Sequence, residues 1–390
     1  SLRDEADTIR RDRNHPSVII YSVGNEIHDT PQADKAKRIL AGLVATAHAA
    51  DPTRPVTQAL FRPNVSGDYT NGLADLLDVV GTNYLDNELL AAQKAKPSRK
   101  IMGTEQRHDL PTWLWLRDNP SHAGQFLWTG VDYLGESRRW PLIGHASGLL
   151  DRTAAIKPMA YERQSWWGPH PVLHLVRRTA PDDRLPDDPG YGGEELHTQV
   201  QFADWTPRQT AAHEEKVEAY ANTAQVELFL NGKSLGSQTI HRDASPRVWR
   251  VPYAPGTLSA VGRDEHGRIV ARDELQTAGP AVRLVLEASR NRLAEGFDHV
   301  VQVRARVVDQ ASLEVPRANA LITFTVSGPG RLVAVDNADP ASVEPFQARQ
   351  RQAYHGECVA YVQAGPGIGP IQITARAEGL TAATCILKKK

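Results

Sequence analysis

Two glutamates stand out because each ends an apolar run. Glu26 follows Asn25 at the tip of the run 18–23, and Glu105 closes the run 100–105. A β-branched stretch that stops abruptly at polar residues behaves like a strand of a parallel barrel: the strand is core and its carboxyl end carries chemistry. The two carboxylates lie 79 positions apart (105 − 26), room for three strand–helix units. Two carboxylates facing each other in a cleft can hydrolyse a glycosidic bond. One protonates the leaving oxygen; the other attacks the anomeric carbon or activates water. Tryptophans suit the same chemistry, because their flat apolar faces fit sugar rings. Each residue also has a plainer reading: Glu26 as a helix cap, Glu105 as a salt-bridge partner, Tyr84 and Trp128 as packing, His108 as a polar loop residue.

The elements that must position these groups alternate. Residues 2–13 are helix-compatible, with Leu2, Ala6 and Ile9 at helical spacing. After the strand at 18–23, Pro31 opens a helix over 32–50, where Ala36, Ile39, Leu40, Leu43 and Val44 recur at three and four. Strands follow at 56–61, 78–84, 100–105 and 125–130, separated by helical stretches at 73–77, 88–95 and 112–117; 158–166 is a last helix. Five such units predict a parallel sheet. They are too few for a closed eight-stranded barrel, so either the sheet is open or its first strands lie upstream, and a start without Met favours the second.

Texture changes after Trp167. Six of the eight tryptophans fall between 113 and 167, and Trp166 and Trp167 are expected to plug the barrel bottom or a domain junction. The stretch 180–193, rich in Pro, Asp and Gly, reads as a loop. Beyond it come short alternating runs with turns, including 225–230, Asn231-Gly232 and 257–262; Asn-Gly between strand-like runs is a strong hairpin signal. A second set occupies 282–287, 300–308, 320–326, 331–335, 357–363 and 371–377. The expected class is α/β plus all-β: an α/β domain over 1–168, then two β-sandwiches over 169–277 and 278–390.

Composition excludes several alternatives. With 390 residues, 41% hydrophobic and 23% charged, the chain has the make-up of a soluble multi-domain protein. Its net charge of −1 offers no field for nucleic acid or an anionic membrane, and no apolar run reaches transmembrane length. Its two cysteines, Cys358 and Cys385, cannot form a metal site and read as buried free thiols. His213-Glu214-Glu215 lacks the second histidine of a metalloprotease helix. The run 365–369 is a turn rather than a phosphate loop. The compartment stays open between periplasmic, secreted and cytoplasmic.

The motifs in order are His15-Pro16-Ser17-Val18-Ile19 leading to Gly24-Asn25-Glu26, then Asn83-Tyr84, Gly103-Thr104-Glu105, and Gly124 through Trp128 to Glu136. This linked series resembles glycoside hydrolase family 2, most closely its β-galactosidase-like members. The resemblance implies strands four to eight of a (β/α)₈ TIM barrel followed by two Ig-like domains, and a retaining exo-β-glycosidase acting on terminal β-D-galactosides through a covalent glycosyl-enzyme. It implies Glu26 as acid/base, Glu105 as nucleophile, Tyr84 as the group orienting that nucleophile, Asn25 on the sugar 2-hydroxyl, Trp128 as floor of the sugar site, and Asn83 and His108 as substrate contacts. Asp132 and Glu136 would be rim contacts. No cofactor is implied, although some members use Mg²⁺ or Na⁺; the substrate would be an oligosaccharide or aryl β-galactoside, and the protein a candidate homo-oligomer. Family β-glucuronidases carry an Asn-x-Lys signature. The matching place here holds His145-Ala146-Ser147, without the cation, which favours galactose. The alternatives are a β-glucuronidase or β-mannosidase of the same family, or a non-catalytic carbohydrate-binding piece.

Overall fold

Apolar runs punctuated by Pro, Gly and Asp become the strands of a parallel sheet in the first unit, Ser1–Thr129. The structure, a computed structural model, describes residues 1–28, 30–137, 140–179, 200–294 and 299–389; the loop expected over 180–193 lies outside them. Ser1 caps α1 (Leu2–Asp12), and the Asp4 side chain closes the capping box. There follow β1 (Tyr21–Asn25), α2 (Ala33–Ala50), β2 (Val56–Leu60), the short α3 (Pro63–Ser66), a 3₁₀ turn (Ala74–Leu76) and β3 (Val79–Asn83). The unit closes with α4 (Asp86–Ala95), β4 (Ile101–Gln106), α5 (Leu110–Arg117) and β5 (His122–Leu127). The sheet order is β1-β2-β3-β4-β5, parallel throughout, so all five carboxyl ends share one edge. Ile9, Leu40, Val44, Val56, Leu60, Leu73, Val80, Leu89 and Ile101 form the core between helices and sheet.

One expectation is corrected here. The run 18–23 is not a buried strand: β1 starts at Tyr21, is half-exposed along its length, and Ile19 is 69% exposed. Among the described residues β1 pairs with β2 alone. β2, with a neighbour on each side, is buried at all five positions. Adding a partner on both sides is what turns an apolar run into core, and a run cannot announce how many neighbours it has.

The second unit, Gly130–Lys390, opens with a two-stranded ladder, β6 (Tyr133–Leu134) and β7 (Gly144–His145), and α6 (Pro158–Trp167). Next come β8 (Leu173–Thr179), β9 (Val200–Phe202), β10 (Glu214–Ala221), β11 (Gln225–Leu230), β12 (Lys233–Thr239), β13 (Arg247–Pro252), β14 (Thr257–Arg263) and β15 (Ile269–Gln276). They form two sheets, β13-β10-β8-β9 and β12-β11-β14-β15, around Leu175, Trp205, Val217, Leu228, Trp249 and Leu258. The turn at Asn231-Gly232 has positive φ at both residues (51° and 78°), the conformation that Asn-Gly accepts and that matches strand twist.

A second pair of sheets uses β16 (Arg283–Ala288), β17 (Arg292–Leu293), β18 (Val300–Val308), β19 (Leu321–Ser327), β20 (Gly330–Asp336), β21 (Gln350–Gln352), β22 (Glu357–Ala364), β23 (Ile371–Arg376) and β24 (Ala383–Lys389). Their orders are β16-β18-β22-β20 and β17-β24-β23-β19-β21, packed around Val303, Phe324, Val335, Val362 and Ile373. Cys358 and Cys385 are both free thiols; Cys358 is buried as expected, whereas Cys385 is only half-buried, and burial pushes both thiols upward in pKa.

The chain divides into its two compact units after Thr129, within the span 1–168 that the sequence groups as one domain. α6 packs against β8 and β10, and Trp166 donates its indole N–H to the Ala244 carbonyl at 3.2 Å. Trp166 therefore serves the junction with the first pair of sheets. Helical periodicity marks which face is buried but not which domain buries it. Among the described residues no helix is long and apolar enough to cross a membrane, and no group of three or more His, Cys, Asp or Glu side chains is placed to hold a metal ion.

Candidate active site

The carboxyl edge of the parallel sheet carries both glutamates, each held by its own hydrogen bonds, Glu26 by Asn83 and Glu105 by Tyr84. Each glutamate follows a register shift. Between β1 and β2 the pairing passes from Ser22↔Thr57 to Asn25↔Ala59, which inserts one extra residue on β1. Between β3 and β4 it passes from Thr82↔Gly103 to Asn83↔Glu105, which makes Thr104 the extra residue on β4. Bulges re-aim the side chains that follow them. Beyond its bulge Glu26 takes a left-handed φ of 47°, and Tyr84 one of 59°. Such backbone costs on the order of 1–3 kcal/mol for a non-glycine residue, and it collects at functional sites.

Asn83 is the hub. It is 5% exposed, and its Nδ2 donates to Asn25 Oδ1 and to Glu26 Oε1, both at 3.0 Å. Its Oδ1 accepts from Thr104 Oγ1 at 2.8 Å. On the other side of Thr104, Glu105 Oε2 accepts from the Tyr84 hydroxyl at 2.9 Å, and the Arg107 guanidinium lies over the Tyr84 ring, 5.9 Å from its centre. Both glutamates are half-buried: they keep access to solvent while their carboxylates are held by donors. A carboxylate held this way is oriented, and one that a neutral amide or phenol contacts can still exchange a proton or attack.

The remaining expected residues are placed as follows. Trp128 sits one residue past β5, 38% exposed, and its backbone N–H donates to the Gln106 carbonyl at 3.0 Å, which carries the ladder to that same edge. His108 is half-buried, two residues beyond β4 and just before Asp109, whose carboxylate caps α5. The Asn25 side chain is accessible, whereas Asn83 is not; the structure gives Asn83 to its neighbours rather than to open solvent. Beside Tyr84 lies a pocket of about 310 Å³, lined among others by Asp86, Glu88, Gln106, Arg107 and Trp115. In the second unit, the Asp132 carboxylate is committed to Lys157 at 2.9 Å and to the Gly148 N–H at 2.6 Å, and Glu136 accepts from the Tyr133 hydroxyl. Asp132 is thus an internal ion pair, not a rim contact.

Thr104 escaped the sequence reading although it lies inside the quoted Gly-Thr-Glu motif. A signal was present: Thr57, Gln58, Thr82 and Gln106 are buried polar side chains on strands that are otherwise apolar. Polar groups in such positions need partners, and the partner of Thr104 could be found only once β3 was laid beside β4.

Comparison with known proteins places the chain in a family. Residues 3–110 match the family described as "Glycosyl hydrolases family 2, TIM barrel domain", and residues 284–386 match "Glycoside hydrolase family 2 C-terminal domain 5". Residues 214–271 match a domain of unknown function. The chain is 30% identical to beta-galactosidase BoGH2A of Bacteroides ovatus, over 97% of this chain and 50% of that one. It is similar to the crystal structure of a glycosyl hydrolase family 2 member from Bacteroides cellulosilyticus, with TM-score 0.90, 31% identity, and coverage of 100% of this chain and 51% of that one. A beta-glucuronidase of the same family shares the fold at TM-score 0.75 and 17% identity, covering 100% of this chain and 40% of that one. The chain thus spans about half the length of such relatives. With family domains matched at both ends and these likenesses along its whole length, the chain belongs to glycoside hydrolase family 2.

Proposed function

We propose that the protein is a retaining exo-β-glycosidase that hydrolyses terminal β-D-galactosides. The observation that carries this reading is the pair of carboxylates at the ends of β1 and β4, Glu26 held by Asn83 and Glu105 held by Tyr84. Glu105 attacks the anomeric carbon while Glu26 donates its proton to the glycosidic oxygen; the carbon–oxygen bond breaks and a glycosyl ester forms on Glu105. Glu26, now ionised, takes a proton from water as that water attacks the same carbon, which releases the sugar and regenerates both groups. Asn25 contacts the 2-hydroxyl, Trp128 floors the sugar site, and His108 is a further sugar contact. The architecture we propose is barrel strands four to eight over 1–168 with Ig-like sandwiches at 169–277 and 278–390.

Galactose is favoured by the name of the Bacteroides ovatus relative and by His145-Ala146-Ser147, where a uronate reader would carry a cation. The second reading, β-glucuronidase, is favoured by the fold-level likeness to such an enzyme. One lysine does serve this segment: Lys157 donates to the Ala146 carbonyl at 2.8 Å, but its charge is spent on Asp132. A panel of nitrophenyl β-galactoside, β-glucuronide and β-mannoside assayed with the full-length protein tests the proposal. Galactoside turnover supports it, preference for the glucuronide moves it to the second reading, and no turnover of any β-glycoside overturns it.

A further inference from the structure

We propose that Thr104 is a positioning residue for the proton-donating side of the reaction. The inference rests on the glycosidase reading above. A primary amide can sit in its pocket in two orientations related by a flip, and only one of them offers donors to Glu26. Asn83 sits in that one because the Glu26 carboxylate and the Asn25 oxygen accept from its Nδ2 at 3.0 Å; the Thr104 hydroxyl, donating to Oδ1 at 2.8 Å, fixes where the amide lies and completes its hydrogen bonding. In the flipped orientation an amide oxygen would face the Glu26 carboxylate, and an N–H₂ group would face the hydroxyl. Asn83 is 5% exposed, so water is poorly placed to compensate.

The hydroxyl in turn is aimed by the methyl of the same side chain. Gly81 on β3 leaves the space: a Cβ there would stand 2.4 Å from Thr104 Cγ2 and 2.8 Å from the Gln58 carbonyl. The methyl fills the place of a missing side chain, which fixes χ1 of a residue already stiff at that bond. Thr104 is also the extra residue of the bulge on β4. Its side chain therefore reaches from the strand of one carboxylate to the amide that orients the other. Sequence neighbours Thr104 and Glu105 serve opposite sides of the site: Glu105 goes to Tyr84, and Thr104 goes through Asn83 to Glu26.

The relay predicts a deficit concentrated on acid assistance, with a smaller loss shared by both substrates through Asn25. Thr104→Val keeps the shape and removes the hydroxyl; Thr104→Ser keeps the hydroxyl and removes the methyl. Values of kcat/KM are measured with the full-length protein on phenyl and 2,4-dinitrophenyl β-galactosides, or glycosides of whichever sugar the wild-type protein cleaves. The phenyl substrate needs a proton on its leaving oxygen, and the dinitrophenyl substrate does not. Thr104→Val is expected to lose roughly tenfold to a hundredfold on the phenyl glycoside and less than about threefold on the dinitrophenyl glycoside, while Thr104→Ser recovers most of the phenyl activity. Equal losses on both substrates, no loss on either, or a serine variant as impaired as the valine variant overturns the relay. If Thr104→Val does not fold, Thr104→Ala, which also lacks the hydroxyl, decides through its ratio between the two substrates: a loss concentrated on the phenyl glycoside supports the relay, and equal losses on both or no loss on either overturn it. A wild-type protein that cleaves no β-glycoside overturns the glycosidase reading itself, a result distinct from a wild-type enzyme indifferent to Thr104.

Discussion

Tyr84 holds Glu105 twice: its hydroxyl donates to the carboxylate Oε2 at 2.9 Å, and its backbone N–H donates to the Glu105 carbonyl at 2.9 Å. The second bond is a ladder bond between β3 and β4, so the phenol's reach is set by the same register that places the glutamate. Removing the hydroxyl alone therefore tests the contact without disturbing the strands. Tyr84→Phe is expected to lower kcat by about 10- to 100-fold, the scale of a hydrogen bond to a charged group, with the melting curve unchanged. A kcat within twofold of wild type would remove Tyr84 from the machinery.

Glu26 is assigned the proton. Glu26→Ala is expected to keep much of its glycosylation rate on a dinitrophenyl glycoside and to lose at least about 10²-fold on a phenyl glycoside, the scale of general acid catalysis. Azide, which needs no base, should then restore turnover and give the β-glycosyl azide, identified by NMR. An α-azide, or no rescue, would contradict the double-displacement route.

The strand–helix rhythm of the first unit was legible because Val, Ile and Leu runs stop at Gly, Asp and Asn, and because α2 shows its buried stripe at Ala36, Leu40, Val44 and Ala47. Both carboxylates were legible for the same reason. What was not legible depends on register. The two bulges, the left-handed φ of Glu26 and the Thr104–Asn83 bond arise only between strands, and a sequence carries no mark of which residue will face which. The attachment of α6 to the first pair of sheets was hidden likewise: burial depends on partners distant in the chain.

Acid should loosen the second pair of sheets through His355. Burial pushes its pKa from 6.5 down to about 4. The unfolded chain therefore binds a proton near pH 6.5 that the folded chain refuses until about pH 4. Stability from this group is present above about pH 6.5 and is lost as pH falls toward 4. His355 has a φ of 54°, which asparagine tolerates, so His355→Asn is the suitable control. Its melting temperature should fall less steeply between pH 6.5 and 4 than that of wild type; parallel curves would assign the acid sensitivity elsewhere.

Asp336 anchors the segment around Arg152 to the second pair of sheets. Its carboxylate meets Arg152 at 3.1 Å and Arg351 at 3.4 Å, and Arg351 is fully buried. Asp336→Ala removes the anion that the two guanidinium groups share, while Arg351 keeps Glu344 at 3.5 Å, so the expected cost is about 1–3 kcal/mol. Chemical denaturation would show it as a lower midpoint; an unchanged midpoint would mean that water replaces the carboxylate.

The most direct measurement is to trap the intermediate. The full-length protein is incubated with 2,4-dinitrophenyl 2-deoxy-2-fluoro-β-galactoside, whose fluorine slows release of the glycosyl-enzyme, and its peptides are sequenced by mass spectrometry. The account predicts one fluoroglycosyl group, carried by Glu105. A label on Glu26 or on any other residue would contradict the assignment of the two carboxylates that hold this site together.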